Sequence, residues 1–285
     1  MTKPVLPFVE TMITQVCNLS CLGCTNYSDL VQQGYVPWAT GKQWLTDWLE
    51  RIDIPDFGIM GGEPLINPEV YQWLEGVRKL MPNTQIRFTT NGSLLDRHPD
   101  ILERCHDLGN IVFKISVHEK SHKLESIIDE VKYKFKWERV HEYGITRWKT
   151  TNDLRFQVNR PNNFVKSYRG NYHNMAPYSS NPKESFSICC QQTCPLLWDG
   201  KLFKCSTSGL LEDTLNKVGK PNWEQWQPYL QKGISPTSSD KELANFIDNF
   251  GKAESVCKMC PTLRDMDAII DHYATVKTIK VKHVP

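Results

Sequence analysis

The sequence predicts an α/β fold, a barrel or partial barrel of mainly parallel strands with a small α+β unit after it. Three observations carry that prediction. Short β-like runs alternate with helical stretches from Phe8 to Asn159. Residues 161–185 then form a stretch rich in Asn, Pro, Ser and Tyr, which reads as a linker or lid. Nine of the ten cysteines fall into three groups, Cys17/Cys21/Cys24, Cys189/Cys190/Cys194/Cys205 and Cys257/Cys260, and the second and third groups lie beyond that stretch. The expected organisation is a barrel over 1–160, a linker over 161–185 and a cysteine-bearing domain over 186–285.

The elements follow from periodicity. Residues 8–14 read as a strand leading directly into the first cysteine loop. Residues 43–51 look helical, and 57–60 form a short apolar run ending at Gly61-Gly62. Trp73, Leu74, Val77 and Leu80 share one face of a helix over 70–80. Residues 85–89 are a strand closed by the turn pair Asn91-Gly92; 101–108 are helical and 111–117 are a strand. Between 119 and 160 two periods compete. Leu124, Ile127, Ile128 and Val131 have helical spacing, whereas Tyr133, Phe135 and Trp137 alternate with Lys132, Lys134 and Lys136 as in a strand. Residues 154–159 read as the last barrel strand. Runs 196–198 and 201–204 flank Asp199-Gly200, a hairpin signal. Helices are expected over 223–231 and 242–249, and a closing strand over 278–283. In such folds the loops after the strands converge on one rim, and here they carry the cysteines, Gly61–Pro64, Thr90–Gly92 and Ser116–His118.

Composition excludes several classes. The 285 residues are 40% apolar and 11% aromatic, with a net charge of +2, which suits a packed globular enzyme and argues against disorder. So slight a charge predicts no large nucleic-acid or membrane surface. No apolar run approaches the ~20 residues of a membrane span, and the first residues lack the apolar stretch and cleavage site of a signal peptide. A cytoplasmic protein is expected. In a reducing compartment clustered cysteines point to metal or catalysis rather than to disulfides. Cys105 stands alone and reads as a small buried side chain.

CNLSCLGC sets Cys17, Cys21 and Cys24 on one tight loop after a strand, with no histidine nearby. A structural zinc site asks for four protein ligands. Three thiolates suit three corners of an iron–sulfur cubane and leave its fourth iron open to a ligand. This loop resembles the C-x3-C-x2-C signature of the radical S-adenosylmethionine (radical SAM) superfamily. Gly61-Gly62-Glu63-Pro64 is similar to that family's GGEP motif, Thr90-Asn91 to its ribose-contacting loop, and Ser116 to its ribose ligand at the end of the fourth strand. The resemblance covers about residues 8–159.

The resemblance implies a partial (β/α)6, TIM-like barrel, a [4Fe–4S] cluster on Cys17, Cys21 and Cys24, and SAM chelated to the open iron. It implies SAM contacts from Gly61, Gly62, Glu63, Pro64, Thr90, Asn91 and Ser116, and reductive cleavage of SAM to a 5′-deoxyadenosyl radical that abstracts a hydrogen atom. An external one-electron donor, such as flavodoxin or ferredoxin, is implied as a partner. One departure is Gly23, where the family usually carries an aromatic residue; Tyr27 is the nearest substitute.

The later cysteines resemble a twitch or SPASM extension. Cys190, Gly200 and Cys205 match its C-x(9–15)-G-x4-C opening, and Cys257-x2-Cys260 its later pair. This implies a second [4Fe–4S] cluster held by four of Cys190, Cys194, Cys205, Cys257 and Cys260, with Cys189 spare; a structural zinc on the same cysteines is the alternative. Only seven residues precede the first strand, leaving no room for a fused peptide-recognition domain, so a small polar metabolite is the expected substrate. Asn159, Arg160, Tyr168, Arg169, Tyr172 and His173 are candidate contacts, or an ordinary polar loop. The catalytic residues are unknown at this level. The alternatives are modification of a ribosomal peptide or protein, and a non-catalytic metal-bound nucleic-acid module using residues 132–139.

Overall fold

The computed structural model describes residues 3–30, 34–118, 122–135, 138–142, 145–149, 154–161, 163–271 and 275–278. Nine strands form its main sheet: β1 (Val9–Met12), β2 (Asp56–Met60), β3 (Gln85–Thr90), β4 (Ile111–Ser116), β5 (Glu138–Glu142), β6 (Ile145–Lys149), β7 (Leu154–Asn159), β8 (Leu196–Trp198) and β9 (Lys201–Phe203). Their spatial order is β9-β8-β1-β2-β3-β4-β7-β6-β5. The six strands from β8 to β7 run parallel, and an antiparallel strand or hairpin extends each end.

The helices α1 (Trp38–Leu49), α2 (Val70–Leu80), α3 (Ile101–Leu108) and α4 (His122–Lys134) supply the crossovers. Parallel strands need such connections, and the helices cover one face of the sheet. That face presents Phe57, Ile59, Phe88, Phe113 and Phe156, all fully buried. Phe88 stacks on Phe113 at 5.3 Å and Phe113 meets Phe156 at 5.9 Å, one aromatic row crossing three adjacent strands. Burying each ring contributes about 1.5–3 kcal/mol.

The α2 helix meets this face through Val70, Trp73, Leu74 and Val77. The Arg78 guanidinium fixes its end, donating to the carbonyls of Thr84 (2.8 Å) and Gly109 (2.7 Å) and so joining the chain ends beneath β3 and β4. The α1 helix begins at Trp38, earlier than periodicity suggests, because the Glu69 carboxylate accepts the Trp38 amide (2.7 Å) and satisfies an otherwise orphaned first-turn donor.

Two segments depart from expectation. The 196–203 hairpin, expected in a separate C-terminal unit, is hydrogen bonded into the main sheet beside β1. The 161–185 stretch, expected as a linker, is anchored: Asn163–Val165 pairs with Ile269–Asp271, and Tyr168 and Met175 are buried with Met12 and Leu196 in a second core. In the ambiguous region the helix persists to Lys134, leaving Tyr133 88% exposed. Lys136 and Trp137 lie outside the described residues, as do residues 279–283 of the expected closing strand. The helix expected over 223–231 divides into an α turn, Trp223–Trp226, and a 3-10 turn, Gln227–Tyr229.

Candidate active site

The first cysteine loop leaves the C-terminal end of β1 and is held from the barrel side by backbone. The Gly62 amide donates to Thr14 O and the Glu63 amide to Val16 O, both at 2.8 Å. This approach needs glycine: a Cβ on Gly61 would stand 2.6 Å from Thr14 O, and one on Gly62 would stand 2.4 Å from Val16 O and 2.9 Å from the Cys17 Cβ. The paired glycines thus let the loop after β2 lie against the cysteine loop.

Glu63 clasps that loop to the next one. Its carboxylate accepts the Thr90 hydroxyl (2.6 Å), the Asn91 amide (2.7 Å) and the Leu65 amide (3.0 Å), and the residue is fully buried. Burial pushes the carboxyl up to about 7, while these donors hold it down. Asn91 continues the chain of contacts, donating to Asn18 Oδ1 (3.0 Å), and Asn18 donates to Ser93 Oγ (2.8 Å). Three loops after three strands are thereby cross-braced around Cys17.

Cys17, Cys21 and Cys24 open onto one cavity of about 410 Å³. Gly61, Gly62, Thr90, Asn91 and Ser116 line it as well; Glu63 and Pro64 do not. The Glu63 carboxylate is therefore engaged by the chain and is not presented to a ligand. Burial pushes all three thiols up, Cys24 to about 11, and their mutual proximity adds to the shift at Cys17 and Cys21. They stay neutral until a cation displaces their protons, which is the behaviour of metal-ligating thiols.

Gly23 adopts a left-handed conformation, φ 82°, and a Cβ there would lie 3.3 Å from the Lys166 Cα. Both features disfavour a side chain at this position. Tyr27 does not replace it: it is fully buried in the second core, its hydroxyl donating to Thr207 O (3.2 Å), and it does not line the cavity. Among the described residues Phe164, Phe186 and His118 are the aromatic side chains that do.

The same cavity reaches the later cysteines. Cys190, Cys205, Cys257 and Cys260 line it, and so does Cys189, which the spacing left spare; Cys194 does not. Cys189 lies within electrostatic reach of Cys257, Cys205 and Cys260. Burial pushes Cys189 up to about 11 and Cys205 to about 12. Glu10, on the inner face of β1, acts on the Cys194 thiol, as do Cys190 and Cys189. The signal for Cys189 was present in the sequence, since it lies one residue further from Gly200 than Cys190 and fits the same spacing window. Among the described residues no three His, Cys, Asp or Glu side chains converge on a single-ion site.

Lys204, which sequence reasoning missed, lies 8% exposed beside this group. Its ammonium stands 3.1 Å from Glu254 Oε1 and donates to Lys252 O (2.7 Å), and its charge favours the thiolate at Cys189 and Cys257.

None of the six predicted lid residues lines the cavity. Tyr168 is core, the Tyr172 hydroxyl donates to Asp29, Asn159 accepts from Gln157, and Arg160 pairs with Glu125. Asn163, Phe164, Val165 and Ser167 from the same segment line it instead, a placement set by pairing with the distant Ile269–Asp271 strand. No helix of the described residues is long and apolar enough to cross a membrane.

The model of the Radical SAM superfamily matches residues 11–152. Molybdenum cofactor biosynthesis protein 1 of Dictyostelium discoideum is 29% identical over 117 residues, which are 39% of this chain and 17% of that protein, so the chain spans under a fifth of that relative's length. Among solved structures, BtrN in complex with AdoMet and 2-DOIA aligns over 92% of this chain and 95% of its own, at 15% identity and a TM-score of 0.49. Streptococcus suis SuiB bound to precursor peptide SuiA aligns over 48% of this chain and 31% of its own, at 18% identity and a TM-score of 0.39.

Proposed function

This chain carries a radical SAM superfamily domain, and from that premise we propose that it is an enzyme abstracting a hydrogen atom from a small polar substrate. When bound, a reduced [4Fe–4S] cluster on Cys17, Cys21 and Cys24 with SAM supplies the 5′-deoxyadenosyl radical for that abstraction. The observation that carries the reading is the convergence of these three thiols, Gly61-Gly62 and Thr90-Asn91 on one cavity.

The chain's own part is to fix and enclose. Gly61 and Gly62 bring backbone against the cysteine loop, Glu63 locks that backbone to the Thr90-Asn91 loop, and Asn26 Nδ2 donates to Gly61 O (3.3 Å) from just after Cys24. Held this way, the thiols need little rearrangement to meet a cluster. Among the described residues no Asp, Glu, Lys or Arg lines the cavity; Thr89, Ser116, Asn163, Gln191 and Thr207 supply hydroxyls and amides, and His118 an imidazole. Such walls suit a hydroxyl-rich polar molecule.

A second [4Fe–4S] cluster on Cys189, Cys205, Cys257 and Cys260 is part of this proposal. Its position on the same cavity suits it to accept an electron from a substrate radical or to orient the substrate. A flavodoxin- or ferredoxin-type donor supplies the first electron.

Anaerobically reconstituted protein given dithionite and SAM is expected to form 5′-deoxyadenosine, and Cys24→Ala to form none. Well-loaded protein that leaves SAM intact would overturn the proposal.

A further inference from the structure

The residues near the end of the described chain return to the first cysteine loop. Lys277–Thr278 pairs antiparallel with Leu19–Ser20, in the register Lys277 to Ser20 and Thr278 to Leu19. Val276 packs against an apolar group of Cys17, Leu19 and Cys21, together with Phe164. Cys17, Leu19, Cys21 and Phe164 all line the cavity, whereas Val276, Lys277 and Thr278 do not. The strap therefore touches the loop outside the cavity wall. The barrel side of the loop is held by Gly62 and Glu63 amides and by the Asn18–Asn91 contact, so the loop is gripped between two supports.

We propose that residues 276–278 form a brace that keeps the cysteine loop turned toward the cavity and closes its back to solvent. Cys17 and Cys21 are each only 7% exposed although Leu22, directly after Cys21, is 37% exposed. Among the described residues the ribbon pairs two residues and has one apolar anchor, and short ribbons of this kind open locally far more readily than a sheet core. Opening would uncover Cys17 and Cys21 while leaving Cys105, fully buried on α3, protected. The inference bears on the loop itself and is tested on iron-free protein, so its failure is separable from failure of the proposed reaction.

The test is the rate at which iodoacetamide alkylates each cysteine of the iron-free protein, read by peptide mass spectrometry. Val276→Asp, and separately a chain ending at Ala274, should raise the rates at Cys17 and Cys21 roughly tenfold with Cys105 still silent. Unchanged rates at Cys17 and Cys21 overturn the brace. If Cys105 also reacts, the variants have unfolded, and hydrogen exchange in the unaltered chain decides. A brace requires the amides that are hydrogen bonded across the ribbon to share one level of protection; the Leu19 amide donates to Cys17 Sγ (3.4 Å) and reports on the loop itself. Protection of the bonded amide on the loop side with free exchange of its partner at 277–278 overturns it.

Discussion

At the scale of single residues, Glu63 shows how one side chain joins motifs that are far apart in sequence. Its two oxygens accept three donors, from Thr90, Asn91 and Leu65, with no exposure to water. Glu63→Gln preserves volume but replaces one acceptor oxygen with an NH2 group, which faces a donor whichever way the amide turns. A buried donor left without a partner costs about 1–3 kcal/mol. Denaturant unfolding of the iron-free protein should lose that much stability, with the loss appearing before any question of SAM binding arises. Equal midpoints for the two proteins would show that the clasp contributes nothing. The sequence made Glu63 visible as part of a GGEP run but not its partners, because hydrogen bonds over 27 and 28 residues leave no trace in spacing.

At the scale of elements, the α1–α2 contact turns on two glycines. A Cβ on Gly41 would meet the Trp73 ring at 1.9 Å, and one on Gly76 would meet the Trp38 ring at 2.1 Å. Trp38 and Trp73 pack edge to face, 5.2 Å apart. In a helix Ala is favoured over Gly by about 1 kcal/mol, so propensity alone predicts that Gly41→Ala and Gly76→Ala stabilise. The contact reverses the sign. Overpacking typically costs 1–3 kcal/mol, and contacts this short require the indoles to move, so both variants should unfold at lower temperature than the parent. A rise in melting temperature would mean that the rings relax without cost. Periodicity located α2, α3 and the strands near 57–60, 85–89 and 111–117 because each buries one continuous face. It failed where a single distant group decides the boundary, as Glu69 does at the start of α1. It failed again where β8 and β9 join the sheet, because a short hairpin signal does not say which edge it completes.

At the scale of the whole molecule, the inner face of the sheet buries charge that the helical face excludes. Glu10 is 8% exposed, and burial pushes its carboxyl up to about 8 despite the nearby Lys114 and Arg87. Between pH 4.5 and about 8 the folded chain therefore holds a proton that the unfolded chain has released. Stability falls as pH rises through that window. Glu10→Gln should flatten the dependence and be more stable than the parent at pH 9, by unfolding midpoints; parallel pH profiles would contradict it.

That inner face also bears on which cysteines would hold the proposed second cluster. Sequence spacing made the two cysteine groups legible but assigned the first member of the later group by a motif window that both Cys189 and Cys190 satisfy. Three-dimensional placement separates only Cys194 from the rest: Cys189 and Cys190 both share the cavity of Cys205, Cys257 and Cys260 and both lie within electrostatic reach of Cys205 and Cys260, whereas Cys194 lies off the cavity wall, where Glu10 disfavours its thiolate. Two [4Fe–4S] clusters amount to about eight irons per chain. Cys194→Ala should retain about eight, and Cys189→Ala should fall to about four while still forming 5′-deoxyadenosine, because the loop of Cys17, Cys21 and Cys24 is untouched. Four irons with one zinc in the parent protein would remove the second cluster altogether. Loss of iron in Cys194→Ala but not in Cys189→Ala would instead show that loading redraws the positions of residues 189–194 around the metal.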